Sequence, residues 1–288
     1  GTFTEKNFNL TRLVDINQTG FTLADWTWNS TTYQGTFAFK NSSALTDGVY
    51  YIKVSITDLA GKTGSKTVTF TVDTVPPVVS ITFPSEGHYF DSEAVIWING
   101  TFTEKNFDVA GLTINGTFTY VTHTWNSTTG AGTFAFKNSS ALVDGTYHIK
   151  VSITDKAGKT GSYTVTFNVD TIIPVVNITS PTTASPVYTL SDKWIWVNFT
   201  YTELNAKNFT ILYPWGTTYG SLPSGVSMSH SELIQVPAWV TDGKYSVSVM
   251  VYDMAGKVGT DAEADAIVVD NTPPVKTVVS PPASSYVG

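Results

Sequence analysis

Leu45–Val72 reads LTDGVYYIKVSITDLAGKTGSKTVTFTV, and Leu142–Val169 repeats it as LVDGTYHIKVSITDKAGKTGSYTVTFNV. A looser third copy runs from Val240 to Val269. In the first copy Tyr50, Ile52, Val54 and Ile56 alternate with Tyr51, Lys53, Ser55 and Thr57. Side chains on a strand switch faces at every residue, so this pattern predicts one apolar and one wet face. The phase persists in Tyr147, Ile149, Val151 and Ile153, and in Tyr245, Val247, Val249 and Val251. An Asp-x-Ala-Gly turn follows each run, and then a second alternating run such as Val165, Phe167 and Val169. One antiparallel hairpin used three times, at a period near 100 residues, predicts a tandem array of small β-sandwiches.

Composition agrees with an all-β chain. Of 288 residues, 13% are aromatic and only 14% charged, against a usual quarter or so. Ser and Thr supply 72 residues. The net charge of −7 and the lack of a basic stripe argue against a nucleic-acid partner. No apolar run approaches the roughly 18 residues of a membrane span. Cysteine is absent, which removes disulfides and thiolate metal sites. Gly1 in place of an initiator Met reads as a processed or excised segment.

The second copy sets the template. Strands are expected at Val78–Phe83, Ala94–Thr103, Val109–Ile114, Thr117–Trp125, Gly132–Phe136, Thr146–Thr154 and Ser162–Val169, with Ile96, Ile98 and Phe102 inward. Seven short strands separated by turn residues fit a Greek-key sandwich. The expected domains are residues 1–73, 74–170 and 171–270, with 271–288 a linker and an orphan first strand. The first domain opens on Gly1-Thr-Phe-Thr-Glu-Lys-Asn-Phe, the words of Gly100–Phe107, so its first strand is missing. Pro273–Gly288 resembles Pro76–Asp91, a first strand with no domain behind it. The donor segment Val275, Lys276, Thr277, Val278 and Val279 is therefore expected to complete the first domain of the next chain, a heterologous head-to-tail contact that builds a homopolymer. A longer covalent array is the alternative.

The words L-x-D-G-x-Y-x-(Ile/Val), D-x-A-G-K and V-D-x-x-x-P resemble immunoglobulin-like (fibronectin-III-like) tandem repeats of archaeal and bacterial cell-surface proteins. That resemblance implies a tyrosine corner at Tyr50, Tyr147 and Tyr245, with Ile52, Ile149 and Val247 where the fold usually keeps a cysteine. It also implies an extracellular or cell-surface location and a filament, pilus-like or adhesin role.

Asn-x-Ser/Thr occurs at Asn9, Asn17, Asn29, Asn41, Asn99, Asn115, Asn126, Asn138, Asn177, Asn198 and Asn208. That is 11 of 16 asparagines, where chance gives roughly four, and it predicts covalent N-linked glycans. Trp97 and Trp196 share an outward strand face with Asn99 and Asn198, so a sugar there would cover an exposed ring; Trp28 and Trp125 directly precede Asn29 and Asn126. Asp73, Asp170 and Asp270 end the last strands, Asp58, Asp155 and Asp253 open the turns, and Glu5, Glu104 and Glu203 recur between them. Turn capping is the favoured reading, with no metal or other cofactor assigned; calcium is the alternative. His88, His123, His148 and His230 recur in no catalytic pattern, so no enzyme and no catalytic residue is expected. The rival reading is a binding module centred on Tyr213, Trp215 and Tyr219 of the divergent third copy.

Overall fold

The computed structural model describes residues 1–9, 15–17, 20–92 and 95–277. Two compact units share the chain: Gly1–Phe83, Trp97–Lys137 and Ile149–Thr164 in one, Pro84–Ile96, Asn138–His148 and the chain from Val165 on in the other. The described residues hold strands, turns and one short 3₁₀ turn.

The alternating words form strands as their period dictates. In the first copy β1 (Thr2–Thr4), β2 (Asp15–Ile16), β3 (Phe21–Trp28), β4 (Gln34–Asn41), β5 (Gly48–Thr57) and β6 (Thr63–Val72) make two three-stranded sheets, ordered β1-β4-β3 and β2-β5-β6. In the second, β7 (Val78–Phe83), β8 (His88–Phe90), β9 (Trp97–Thr103), β10 (Leu112–Ile114), β11 (Phe118–Trp125), β12 (Ala131–Asn138), β13 (Gly145–Thr154) and β14 (Thr160–Val169) form sheets ordered β11-β12-β9-β7 and β10-β13-β14-β8. The third adds β15 (Val175–Ser180), β16 (Val187–Thr189), β17 (Lys193–Glu203), β18 (Ala206–Tyr213), β19 (Gly216–Ser221), β20 (Gly225–Val236), β21 (Gly243–Asp253) and β22 (Val258–Val269), ordered β15-β17-β20 and β16-β22-β21-β18-β19.

Two details depart from the sequence reading. Val109–Ile114 is not one strand: Val109–Gly111 is a 3₁₀ turn whose start is capped by Asp108, and only Leu112–Ile114 pairs with β13. The short strands β8 and β16, which lie parallel to β14 and β22, were not anticipated, because three residues are too few for alternation to register.

Burial follows the predicted phase. Ile96, Ile98 and Phe102 are buried, as are Ile149, Val151, Ile153, Val165 and Phe167. In the third copy one apolar cluster joins both sheets, with Val197, Phe199 and Ile234 on one side and Phe209, Val249 and Ile267 on the other. The first copy is looser. Val54 and Ile56 are only half-buried, whereas their counterparts Val151 and Ile153 are sealed at 0% exposure, and Val68 is 55% exposed where Val165 is 2%.

All three tyrosine corners close. The hydroxyls of Tyr50, Tyr147 and Tyr245 donate to the carbonyl oxygens of Thr46, Val143 and Thr241 at 2.8, 2.7 and 2.8 Å. Tyr50 and Tyr147 also stack on Phe70 and Phe167. Each such bond contributes about 1 kcal/mol net. Tyr147→Phe, which keeps the ring, is expected to lower stability by about that amount in chemical denaturation, with native strand content by circular dichroism.

Candidate functional site

Repeats bring equivalent residues to equivalent places, and the acidic positions are the clearest case. Asp73 follows β6, Glu104 follows β9 and Asp155 follows β13, yet one carboxylate oxygen from each lies within 4.8 Å of the others. Asp170, Glu203 and Asp253 repeat the arrangement one copy later. All but the half-buried Asp73 are buried. The sequence had singled out these positions but not that they converge.

Turn capping accounts for part of this geometry. Asp155 Oδ1 accepts from the amides of Ala157 and Lys159 at 2.8 and 2.9 Å, and Asp253 Oδ1 from Lys257 at 2.8 Å. Glu104 and Glu203 use Oε1 for the amides of Asn106 and Asn205 at 2.6 and 2.7 Å. The side-chain amides of those asparagines donate to Oδ2 of Asp73 and Asp170 at 2.6 and 2.8 Å. Capping leaves oxygens over. Asp155 Oδ2, Glu203 Oε2 and Asp253 Oδ2 are sealed from solvent and accept no hydrogen bond. Among the described residues no lysine or arginine forms an ion pair with either cluster.

Three like charges at this spacing repel by roughly 3 kcal/mol per pair at an effective dielectric near 20. Burial is the largest cause that pushes the carboxyls of Glu104 and Glu203 upward; backbone amides offset it in part, and the charges of Asp73 and Asp155, or of Asp170 and Asp253, add to it. Asp253 is raised by burial and then by Asp170, against the pull of nearby amides. These groups can hold a hard cation, or else share protons. A carboxyl raised in the folded state favours folding below its unfolded pKa and loses that contribution as pH rises through the folded value. Each triad therefore counts against the fold at neutral pH when nothing neutralises it. Glu203→Gln, which keeps the Asn205 bond, is expected to raise Tm by about 2–4 °C at pH 7 in chelating buffer, a gain that shrinks toward pH 4.

A second feature is a groove of about 450 Å³ lined by Phe3, Phe37, Val54, Ile56 and Gly64, with Glu5 and Asp58 also on its wall. It lies along β1, which pairs with β4 on one side only; the equivalent β9 pairs with β12 and also with β7. Glycines mark the seam. A Cβ on Gly161 would collide with the carbonyl oxygen of Pro77, and one on Gly259 with that of Pro174; before Gly64 there is open space. Val275, at the start of the expected donor segment, is 93% exposed, and Lys276 and Thr277 are exposed outside any strand. Val278 and Val279 lie outside the described residues.

The sequons are placed unevenly. Asn17, Asn29, Asn41, Asn115, Asn126, Asn177 and Asn208 are exposed, and Asn9, Asn99 and Asn198 half-buried. Asn29 and Asn126 cap their hairpin turns through Oδ1, which leaves Nδ2 outside those bonds. Asn138 is buried: its Oδ1 accepts from Ile96 at 2.7 Å and its Nδ2 donates to Ser140 at 2.9 Å. Trp97 and Trp196 are exposed on the strand faces they share with Asn99 and Asn198. Trp28 and Trp125 are different. Their indole N–H groups donate to the carbonyls of Glu5 and Glu104, and their rings lean on Phe8 and Phe107. Trp215 likewise donates to Gln235 and packs against Tyr213 and Tyr245, while Tyr219 is exposed. The histidines stay apart in use: His123 bonds Tyr120, His148 bonds Thr166 and His230 bonds Glu232. No helix among the described residues is long and apolar enough to cross a membrane.

Paired sheets, a tyrosine corner in each copy and a short parallel strand beside the last strand define the class as tandem immunoglobulin-like sandwiches. Residues 7–74 and 99–171 match the bacterial Ig-like domain family, so two of the three copies are such domains by sequence as well. No curated protein sequence matches the chain. Among solved structures, the fibronectin(III)-like modules of Clostridium thermocellum CbhA align at 17% identity over 67% of this chain and 94% of theirs, with a TM-score of 0.40. Titin domains A168–A170 align at 13% over 88% of each chain, TM-score 0.38. A tetra-tandem repeat from the extending region of a large adhesion protein aligns at 15% over 91% of this chain and 68% of that one, TM-score 0.31.

Proposed function

We propose that the chain is a structural subunit of a glycosylated extracellular filament or surface fibre, assembled head to tail by strand complementation. Pro273–Val279 of one copy enters the groove beside β1 of another and does there what β7 and β15 do in the second and third repeats. The observation that carries this reading is the glycine seam: Gly161 and Gly259 are each covered by a proline carbonyl, and Gly64 is not. The donor has the proline in register. Pro77 and Pro174 stand four residues after Asp73 and Asp170, and Pro274 stands four after Asp270. The half-buried Val54 and Ile56 are the apolar surface that the added strand would seal. In this register Lys276 takes the place of the buried Val79, so its methylene stem lies on the groove wall and its ammonium reaches outward.

Gly64→Val tests the reading, because the substituted site is open in the free chain and closed in the assembly. The wild-type chain is expected to form filaments by electron microscopy and to give a band near 31 kDa plus sugar after boiling in denaturant. The variant is expected to keep its melting temperature and remain a single chain. Filaments unaffected by Gly64→Val would reject strand complementation. A boiled band many times larger would instead favour a segment of a long covalent adhesin array.

N-linked glycans at the exposed sequons complete the proposal, with the rings of Trp97 and Trp196 covered by sugars on Asn99 and Asn198. Mass spectrometry of native material is expected to find these two asparagines modified and Asn138, whose amide nitrogen is held inside, bare. Bare Asn99 and Asn198 would leave the rings to a packing partner.

A further inference from the structure

We propose that Asp73–Glu104–Asp155 and Asp170–Glu203–Asp253 are two calcium sites, one where each repeat hands over to the next. Three carboxylates gathered from three separate elements are costly to hold together, and the cost is repeated in both places. The oxygens left over after capping carry the argument. Asp155 Oδ2, Glu203 Oε2 and Asp253 Oδ2 are buried without any donor, in side chains exposed by only 5%, 4% and 1%. Buried carboxylate oxygens need a hydrogen-bond donor or a cation.

The donor set selects the ion. All the oxygens are hard, and no histidine or cysteine takes part, which disfavours zinc and copper. Two ligands on one ion can be no further apart than twice the bond length. That ceiling is about 4.6–5.2 Å for calcium and about 4.0–4.2 Å for magnesium. The measured envelope of 4.8 Å falls within the first range. Backbone amides hold one oxygen of each Glu and of each turn Asp, so these carboxylates are oriented before an ion arrives.

The same three positions occur once more, divided. Glu5 and Asp58 line the groove of the first repeat, and Asp270 precedes Pro274 by the spacing seen at the other joints. Asn7 is also bonded to Glu5 as Asn106 and Asn205 are to their glutamates. This third site rests on the strand-complementation reading: it forms only when Asp270 of one copy meets Glu5 and Asp58 of another. The first two sites do not depend on it.

Titration calorimetry of the full chain, stripped with chelator and given calcium alone, tests the two sites. Two ions per unassembled chain are expected, with a Tm rise of about 5 °C or more at roughly 1 mM calcium and a smaller one with magnesium. Asp155→Asn and Asp253→Asn are each expected to remove one ion while strand content by circular dichroism is unchanged. Glu203→Gln, which keeps the local hydrogen bond, serves as a second variant for the later site. No binding heat and no Tm change up to about 10 mM calcium would overturn the proposal, as would two ions retained in both Asp variants. A chain that binds two ions but never assembles upholds these sites and counts against strand complementation; one that assembles without binding does the reverse.

Discussion

The stripe Tyr-x-Ile-x-Val-x-Ile has to be covered along its whole length, and most of the architecture follows from that requirement. A strand with one apolar face gains roughly 25 cal/mol per Å² only where another surface meets it. In the second and third repeats the stripe is complete, and Val151, Ile153, Val249 and Val251 have no solvent contact. In the first, β1 and β5 stand beside a groove, and the same residue types are left half-wet. The difference between repeats lies in the neighbours and not in the stripe, whose sequence is nearly unchanged between Leu45–Val72 and Leu142–Val169.

The joints carry a second constraint, electrostatic in kind. Asp73, Asp170 and Asp270 end their repeats in the same Val-Asp words, and each Oδ1 accepts from the amide two residues on, at 3.2, 3.3 and 3.1 Å. The residue after Asp73 or Asp170 is clamped in turn: Thr74 and Thr171 donate both their amide and hydroxyl hydrogens to Asp47 and Asp144. Carboxylates thus fix the path of the chain between repeats while crowding negative charge at the same points.

Much of this was legible in the amino-acid order because strand alternation and turn chemistry are local. Tyr50, Tyr147 and Tyr245 could be assigned their corner from the L-x-D-G-x-Y words alone, and the inward phase of Ile96, Ile98 and Phe102 from every second residue. What stayed hidden was non-local. Asp73, Glu104 and Asp155 span 82 residues, and nothing in their spacing announces convergence; only the recurrence of a Glu–Asn pair beside a turn Asp hinted that they belong together. The burial of Asn138 was hidden for a similar reason, since its partner amide belongs to Ile96, 42 residues away. Its equivalent Asn41 is exposed, so the same sequon sits in two environments.

The tyrosine clasp has a chemical consequence. Where related sandwiches are stapled by a sulfur–sulfur bond, these three rely on a phenol hydroxyl held by a carbonyl and on Ile52, Ile149 and Val247 packed behind it. Neither element responds to redox conditions. Thiol reagents have nothing here to cleave, and no oxidant is required for the sandwiches to mature, so the same chain can fold in either a reducing or an oxidising compartment.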